Sequence, residues 1–399
     1  MKYESLKKLH YIDERKHESI YAQRFNAPLT RRFEFLIRQY NRQNEYPAFL
    51  CYTEEFALLF EKIYRKNERL LEILEVISPL VIEQFILLSV VDEVRATSDI
   101  EGVHSTRREI EEVVKGTTYS PRFSSIVGKY RTLLDSTEIR FDTCQDIRAF
   151  YDEFVHREIA ADNPRHKLDG KLFRKDTAQI YSSSGKIRHQ GVYPESKIIA
   201  LLEVALKILN SPEIPFLVRV SVFHYLFEYV HPFYDGNGRA ARFIVSYFLS
   251  QHFHKLIALR LSLSIKRRKN FYYKLFEDTD SEWNRGDLTP FVMGFTEIIS
   301  ATFDDIIPPL NSKFAQLIKC KGRLEELITG DELTRRIYKI LLESSVFFAQ
   351  GVSMDDLIRL TKKSRNTIKA RLDSMPKEHL IKGDGKKIFY KLNMGIFKT

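Results

Sequence analysis

One stretch decides how this 399-residue chain is interpreted: His231-Pro232-Phe233-Tyr234-Asp235-Gly236-Asn237-Gly238-Arg239-Ala240-Ala241-Arg242. An apolar, helix-like run over 216–230 precedes it, and a second helix-like run over 239–253 follows. The sequence therefore predicts a short glycine-containing loop that opens onto the N-terminus of a helix. Free backbone N–H groups and the helix dipole favour anions at such a terminus. Gly236 and Gly238 allow a ligand to approach the backbone closely, so we expect a phosphate site.

The side chains of this stretch supply the other parts of a phosphate-transfer site. Arg239 and Arg242 carry forked donors that match phosphate oxygens. Asp235 offers a hard oxygen ligand for Mg²⁺, and His231 can accept a proton near neutral pH. Each residue alone is typical of an ordinary turn or a solvated helix. Their ordered combination favours phosphate chemistry, and the absence of a Gly-x-x-x-x-Gly-Lys-Ser/Thr sequence disfavours a P-loop nucleotidase.

The stretch resembles the signature of the Fic family, His-Pro-Phe-x-Asp/Glu-Gly-Asn-Gly/Lys-Arg-x-x-Arg, and it matches every defined position. The resemblance implies an enzyme that transfers AMP from ATP to a Ser, Thr or Tyr hydroxyl of a target protein. Kinase-like relatives carry lysine at the position of Gly238, so the glycine favours nucleotide transfer. The implied roles are a catalytic base, His231; a Mg²⁺ ligand, Asp235; and nucleotide contacts, Gly236, Asn237, Gly238, Arg239 and Arg242.

A second signal lies upstream at Thr97-Ser98-Asp99-Ile100-Glu101-Gly102. On a helix, Thr97 and Glu101 share a face, and Gly102 is suited to end that helix. Taken alone, this pattern is typical of an exposed helix end. It also resembles the inhibitory Ser/Thr-x-x-x-Glu-Gly/Asn motif of Fic proteins. That resemblance implies that Glu101 pairs with Arg242 and takes the place of the ATP γ-phosphate.

Two further regions complete the expected site. Residues 173–194 alternate around Ser182-Ser183-Ser184-Gly185, which predicts a β-hairpin. In Fic proteins a hairpin here is a flap that holds the target backbone by strand addition. The implied target contacts are His189, Gln190, Gly191, Val192 and Tyr193, and the implied adenosine contacts are Tyr272, Tyr273 and Asn284. Aromatic residues at helical spacing are also typical of a helix core.

Composition places the chain among globular proteins. Its 44% hydrophobic and 29% charged residues are ordinary values. The three cysteines are scattered without a Cys-x-x-Cys pair, which disfavours a disulfide framework or a zinc site and favours a reducing compartment. The N-terminus is polar, and no apolar run is long enough to span a membrane. We expect a cytoplasmic protein without a membrane partner.

The resemblance and the helical periodicity together predict a mainly α fold: a Fic (Fido) helical core with a β-hairpin flap, plus a small C-terminal winged helix-turn-helix domain. The expected organisation is an N-terminal arm and helical region over 1–105, a catalytic domain over 106–300, a linker helix over 301–330 and the winged helix over 331–399. One helix is predicted near Thr30 to Arg42. Another, over 81–96, is expected to be buried and to deliver Thr97 and Glu101 to the site.

The C-terminal segment is basic. Residues 331–399 carry 15 Lys and Arg against 8 Asp and Glu, a net +7, and the other 330 residues carry +3. Helical patterns over 333–342, 353–360 and 364–375 precede a hairpin around Gly383-Asp384-Gly385. This order resembles a winged helix. Its basic charge favours DNA contact, whereas the same fold also serves protein contacts or dimerisation, so DNA binding and homo-oligomer formation stay open.

Two other functions remain open at this stage. The first is removal of AMP from a modified protein, in which Glu101 would position a water molecule. The second is a DNA-binding regulator whose Fic-like domain is a sensor, which would bind DNA with a steep salt dependence and without any need for His231.

Overall fold

The computed structural model describes residues 3–156, 158–159, 163, 166–181, 185, 187–328, 330–348, 351–383 and 388–397. The chain divides into two compact units, one formed by residues 1–67 and 86–303 and the other by residues 68–85 and 304–399. Among the described helices, none combines the length and the apolar character that crossing a membrane requires.

The first unit begins with a small α/β arm. Helices α1 (Leu6–Ile12) and α2 (Glu14–Phe25) precede an antiparallel hairpin of β1 (Thr30–Ile37) and β2 (Tyr46–Cys51). Leu6, Phe49 and Cys51 form a hydrophobic cluster between these helices and the hairpin. Backbone hydrogen bonds of Phe49 with Gly286 and Leu288 attach the arm to a later loop.

The helix predicted near Thr30 to Arg42 is wrong, because this segment forms strand β1. Phe33, Phe35 and Ile37 are buried, and the residues between them are exposed. That period of two is the pattern of a half-buried strand. The helical interpretation gave too little weight to the alternation of these apolar residues.

The rest of the first unit is mainly helical. The helix Phe216–Val230 is apolar around most of its circumference and is buried along nearly all of its length, as expected for the central helix of a core. The two helices next to it in the chain, Glu195–Asn210 and Asn237–His252, pack against it. In chain order the helices are α3 (Glu54–Glu75), α4 (Pro79–Ile100), α5 (Arg107–Val114), α6 (Ser124–Leu134), α7 (Cys144–Tyr151), α8 (Glu195–Asn210), α9 (Phe216–Val230), α10 (Asn237–His252), α11 (Lys255–Ala258), α12 (Leu261–Arg267), α13 (Lys269–Asp280) and α14 (Thr289–Leu327).

The helices that flank the glycine loop agree with the sequence. The predicted helix over 216–230 is confirmed as α9, and the helix predicted to begin at Arg239 begins two residues earlier, at Asn237. The predicted hairpin is confirmed as β3 (Gln179–Tyr181) paired with β4 (Ile187–Gln190). The serines of its turn, 182–184, lie outside the described residues. Helix α4 continues to Ile100, and Gly102 follows it with a φ of +78°.

Within the second unit, the described residues of 332–392 form three α-helices and a small sheet. Helices α15 (Glu332–Phe347), α16 (Met354–Thr361) and α17 (Arg365–Asp373) are followed by strands β6 (Leu380–Lys382) and β7 (Phe389–Leu392). A two-residue strand, β5 (Val352–Ser353), completes a sheet of order β5-β7-β6. This order of elements agrees with the winged-helix expectation. The Asp384-Gly385 turn lies outside the described residues.

Most of the segment expected to be a linker helix, 301–330, lies within one continuous helix. Helix α14 runs from Thr289 to Leu327 and passes through Pro308 and Pro309. The boundary between the two compact units falls within it, after Phe303.

Candidate active site

A cavity of about 490 Å³ lies in the first unit beside the glycine loop. This volume is in the range of small-molecule binding sites. Residues from six parts of the chain line the cavity: the arm, the end of α4, the β3–β4 hairpin, α9 with its C-cap, α10 and α13. The lining residues used below are Lys7, Gln39, Glu101, Arg188, His189, Glu228, His231, Gly238, Arg242, Tyr272, Tyr273, Phe276, Glu277 and Asp280.

The loop between α9 and α10 is held by its own side chains. The Asn237 side chain accepts a hydrogen bond from the Phe233 N–H (2.9 Å) and donates one to the Phe233 carbonyl (2.8 Å). Phe233 is buried and stacks on Tyr151, with ring centroids 3.6 Å apart. Gly236 adopts a φ of +80°, a conformation that glycine adopts readily. Asn237 therefore fixes the loop, and its amide is satisfied within it.

His231 occupies the C-cap of α9 in a left-handed conformation with a φ of 53°. A buried guanidinium supports this turn, because Arg174 donates to the carbonyls of His231 (2.8 Å) and Val230 (3.0 Å). Burial, together with the charges of His189 and Arg174, lowers the pKa of His231 to about 3. The imidazole is therefore neutral at physiological pH and has a free site for a proton.

Arg242 is almost fully buried and is bound by the end of α4. Its Nη2 lies 2.7 Å from Glu101 Oε1 and donates to the Thr97 carbonyl (3.0 Å), and its Nε donates to the Thr97 hydroxyl (3.0 Å). This pair leaves no room for a side chain at position 238, because a Cβ atom there would lie 2.2 Å from Glu101 Oε1. The structure thus brings Thr97, Glu101, Gly238 and Arg242 together.

Arg239 has a different environment. Its Nη1 lies 2.9 Å from Glu158 Oε1, and its Nη2 lies 3.7 Å from Asp235 Oδ1. Burial raises the pKa of Glu158, and the charge of Arg239 lowers it again in part. Neither Arg239 nor Asp235 is among the described residues that line the cavity. The structure therefore places Arg239 in an internal ion pair beside the loop.

Asp235 was expected to bind Mg²⁺. Its side chain is 42% exposed, and its Oδ2 lies 3.5 Å from His166 Nδ1. Within the described ranges, no cluster of three His, Cys, Asp or Glu side chains could hold a metal ion. A single accessible carboxylate nevertheless fits Mg²⁺, which commonly takes one or two protein carboxylates and completes its shell with phosphates and water.

The β3–β4 hairpin is attached to α13 by two charged contacts. Arg188 lies 3.0 Å from Glu277, and His189 Nδ1 lies 3.3 Å from Asp280 Oδ2. His189 Nε2 also lies 2.7 Å from the Tyr229 carbonyl, so both ring nitrogens have acceptors. Although burial opposes it, the Asp280 carboxylate raises the pKa of His189. The contacts with Asp280 and the Tyr229 carbonyl thus favour the protonated form of His189.

The expected target contacts lie at two places. His189 lines both the main cavity and a neighbouring groove of about 610 Å³. The other four, Gln190, Gly191, Val192 and Tyr193, line the groove. The arm contributes Arg38 and Tyr40 to the same groove. The expected flap residues are therefore contiguous with the cavity through His189.

The expected adenosine contacts are divided. Tyr272 and Tyr273 line the cavity, and the Tyr272 hydroxyl lies 2.7 Å from His224 Nε2. Asn284 is fully buried, donates to the Asp287 carbonyl (2.7 Å), and is not among the described lining residues. The structure therefore brings the two tyrosines, but not Asn284, to the cavity.

Sequence reasoning missed several residues of this region. Glu228 lies three positions before His231, and that helical spacing was a usable signal. Glu158, Asp280, Lys7 and Gln39 come from distant parts of the chain. No sequence pattern links these residues to the glycine loop, so their place beside it is seen only in the folded structure.

A protein-family model matches the part of the chain that contains the glycine loop. Residues 141–249 match the Fic/DOC family. The matched range includes β3, β4, α9, the loop and most of α10. The chain therefore contains a Fic/DOC family domain.

The chain is similar to several solved structures. A Fic family protein from Desulfovibrio desulfuricans G20 is 20% identical, with a TM-score of 0.54 over 86% of this chain and 96% of that one. Fic-1 from C. elegans is 18% identical, with a TM-score of 0.44 over 63% of this chain and 72% of that one. A Fic domain containing signaling protein from Bacteroides thetaiotaomicron is 13% identical, with a TM-score of 0.44 over 65% and 97%. The first of these likenesses shows a mainly helical Fic fold.

Proposed function

We propose that this protein is an adenylyltransferase that moves AMP from ATP to a hydroxyl group of a protein, and that Glu101 keeps it inhibited. The observation that carries the proposal is the joint placement of His231, Gly238 and the Glu101–Arg242 pair on one cavity. A proton acceptor, a glycine at a helix N-terminus and a buried arginine are the groups that nucleotidyl transfer requires.

ATP fits the polarity of this cavity. Its phosphates would lie by the N-terminus of α10, where backbone N–H groups and Arg242 favour negative charge. Tyr272, Tyr273 and Phe276 provide an aromatic wall for the base. The guanidinium of Arg239 is already paired with Glu158, so in this proposal it supports the loop and Arg242 makes the direct phosphate contact.

The chemistry assigned to the chain is a proton transfer coupled to an in-line displacement. His231 takes the proton of the incoming hydroxyl, whose oxygen bonds to the α-phosphorus. The bond from that phosphorus to the bridging oxygen breaks, and pyrophosphate leaves with the electron pair. The N–H groups of the loop stabilise the charge that develops on the α-phosphate. Mg²⁺ held by Asp235 and the phosphates would add Lewis-acid stabilisation.

Inhibition follows from the ion pair. While Glu101 occupies Arg242, the arginine is not available to a γ-phosphate, and a carboxylate stands close to the phosphate site. ATP can then bind only with its phosphates displaced, and such misalignment lowers the rate by orders of magnitude.

A second function is favoured by the position of Glu101. Its side chain is 29% exposed and lines the same cavity as His231, where it could orient a water molecule. Water in place of the hydroxyl would release AMP from a modified protein. In that case Glu101 is required for activity, whereas in the first proposal its removal increases activity.

The test uses ATP labelled on the α-phosphate or on the γ-phosphate, with the native chain, Glu101→Gly and Glu101→Gly/His231→Ala. Self-modification serves as the readout, because it needs no known target. We expect α-label incorporation that rises in Glu101→Gly and disappears when His231 is also replaced. Incorporation of γ-label would indicate phosphate transfer. AMP removal would be favoured if neither label is incorporated and if the native chain, but neither variant, releases AMP from an AMP-modified protein.

A further inference from the structure

Glu228 is a buried carboxyl group on the cavity wall for which the mechanism above has no role. It lies on α9, three residues before His231, and its side chain is 11% exposed. Its Oε2 lies 3.7 Å from His231 Nδ1, which is beyond hydrogen-bond distance. Its Oε1 is buried and has no hydrogen-bond partner within the part of the chain that the structure describes. Buried polar atoms are normally satisfied, so an unsatisfied carboxyl next to a candidate base points to a function.

The charged and titratable groups around this pair come from every neighbouring element. Those that face Glu228 are Glu101 from α4, Arg242 from α10, His189 from β4, and Tyr272 and Tyr273 from α13. Those that face His231 are Glu228 itself, His189 and Arg174. Glu101 is therefore the nearby carboxylate whose negative charge opposes ionisation of Glu228.

Burial and the charge of Glu101 both favour the protonated form of Glu228. Burial and the negative charge of Glu101 raise the pKa of Glu228 to about 8, against the opposing charges of Arg242 and His189. With Glu101 in place, Glu228 carries a proton at neutral pH. A neutral carboxylic acid cannot stabilise a charged imidazole, and the long distance to His231 agrees with the absence of a charged pair.

We propose that Glu228 is a positioning residue for His231, which orients the imidazole through Nδ1 and stabilises its charged form, and that this role becomes available only when Glu101 leaves Arg242. The inference rests on the proposed function. In the proposed function, the contact of Glu101 with Arg242 displaces the phosphates. A second consequence is that the contact leaves His231 without the ionised carboxylate of Glu228 as its partner.

The chemistry is that of a base held by a third group. When His231 accepts the hydroxyl proton at Nε2, the ring becomes a cation that carries N–H groups on both nitrogens. An ionised Glu228 would accept the hydrogen bond from Nδ1 and offset the positive charges of His189 and Arg174. The proton stays on His231 until product release, and Glu228 does not take it. Groups that orient a catalytic base in this way commonly contribute orders of magnitude to the rate.

The first experiment follows the protonation of the His231 ring by ¹⁵N NMR, with the signal assigned by its loss in His231→Ala. In the native chain we expect a neutral ring throughout the range from about pH 5 to 9. In Glu101→Gly the ring should titrate within that range, because an adjacent carboxylate raises the pKa of an imidazole. In Glu101→Gly/Glu228→Gln the ring should again stay neutral.

A second measurement needs no change at position 228. Carbon-13 NMR of the glutamate carboxyl groups should show Glu228 protonated in the native chain at neutral pH and ionised in Glu101→Gly. The matched control is Glu277→Gln in the Glu101→Gly background. Glu277 lines the same cavity but is paired with Arg188, so its replacement should leave the His231 titration unchanged.

Activity provides the third readout. In the Glu101→Gly background, Glu228→Gln should lower kcat by about 10- to 100-fold, with little change in KM for ATP. The inference is overturned if His231 titrates alike in Glu101→Gly and in the double variant, or if Glu228 keeps its proton in Glu101→Gly. Failure of Glu101→Gly to transfer AMP, with both NMR results as expected, would contradict the proposed function and leave the Glu228–His231 coupling in place.

Discussion

Arg239 and Arg242 lie one turn apart on α10, and each side chain is 1% exposed, yet their partners differ. Arg239 pairs with Glu158, which is 12% exposed and is not among the described residues of the cavity wall. Arg242 pairs with Glu101, which is 29% exposed and lines the cavity. A ligand in the cavity can therefore compete for Arg242, whereas Arg239 and Glu158 are not among the described residues that line the cavity. From this difference in the partner carboxylates, we expect a ligand to replace Glu101 at Arg242 but not Glu158 at Arg239.

The largest expected effect comes from removing each carboxylate in turn. Glu101→Gly should increase AMP transfer by about 100-fold or more, because it frees Arg242 and restores alignment of the phosphates. Glu158→Gly should give no gain, because Arg239 does not line the cavity. The measurement is the initial rate of α-label incorporation per mole of folded protein. A comparable gain in both variants would contradict the distinction between the two pairs.

The gain should depend on Arg242. In the Glu101→Gly background, Arg242→Ala is expected to lower the rate again by about 100-fold, the usual loss when a donor to developing charge is removed. Arg242→Lys should recover only part of the rate, since lysine lacks the forked geometry. Rates measured at saturating ATP, together with ATP binding by calorimetry, separate alignment from affinity. An unchanged rate in Arg242→Ala would show that another group holds the phosphates.

Stability should respond in the opposite order. Among the described residues, Glu158→Ala leaves the buried guanidinium only the distant Asp235 as an ion-pair partner, and it should cost about 3 kcal/mol. Glu101→Ala should cost less than about 1 kcal/mol, because Arg242 keeps both hydrogen bonds to Thr97 and the lost carboxylate is partly solvated. Denaturant unfolding of the two variants checks this order. Equal losses of unfolding free energy would mean that the Glu101–Arg242 pair stabilises the fold as much as the Glu158–Arg239 pair does.

A third carboxyl group, Glu228, adds a dependence on pH. Its pKa in the folded chain is raised to about 8 by burial and by Glu101, so the folded state binds this proton more tightly than the unfolded state. The resulting stability is fully present below the unfolded pKa and is lost as the pH rises through about 8. Glu228→Gln should remove this loss and raise Tm at alkaline pH by at least about 2 °C relative to the native chain. A parallel dependence of Tm on pH in both proteins would contradict it.

Much of this architecture was accessible from the sequence where local patterns decide the structure. The apolar run of α9, the glycine loop and Gly102 after α4 each follow from nearby residues. The β1 strand was mistaken for a helix, although Phe33, Phe35 and Ile37 alternate in burial. The environments of Arg239 and Asn284 could not be predicted, because Glu158 and the Asp287 carbonyl reach them only through tertiary packing.

The smallest effect is expected furthest along the chain from the two arginines. Arg365 and Lys369 are exposed on α17, in the basic C-terminal segment, and neither belongs to the proposed site. Arg365→Ala/Lys369→Ala should therefore change AMP transfer by less than about twofold, within the usual range of surface substitutions. If the segment contacts DNA, the same variant should lower the slope of log affinity against log salt by about one for each lost phosphate contact. DNA binding that follows this slope while AMP transfer depends on His231 would establish two separate activities. Loss of AMP transfer in the folded variant would instead show that residues of α17 are needed for the reaction, in addition to those of α10.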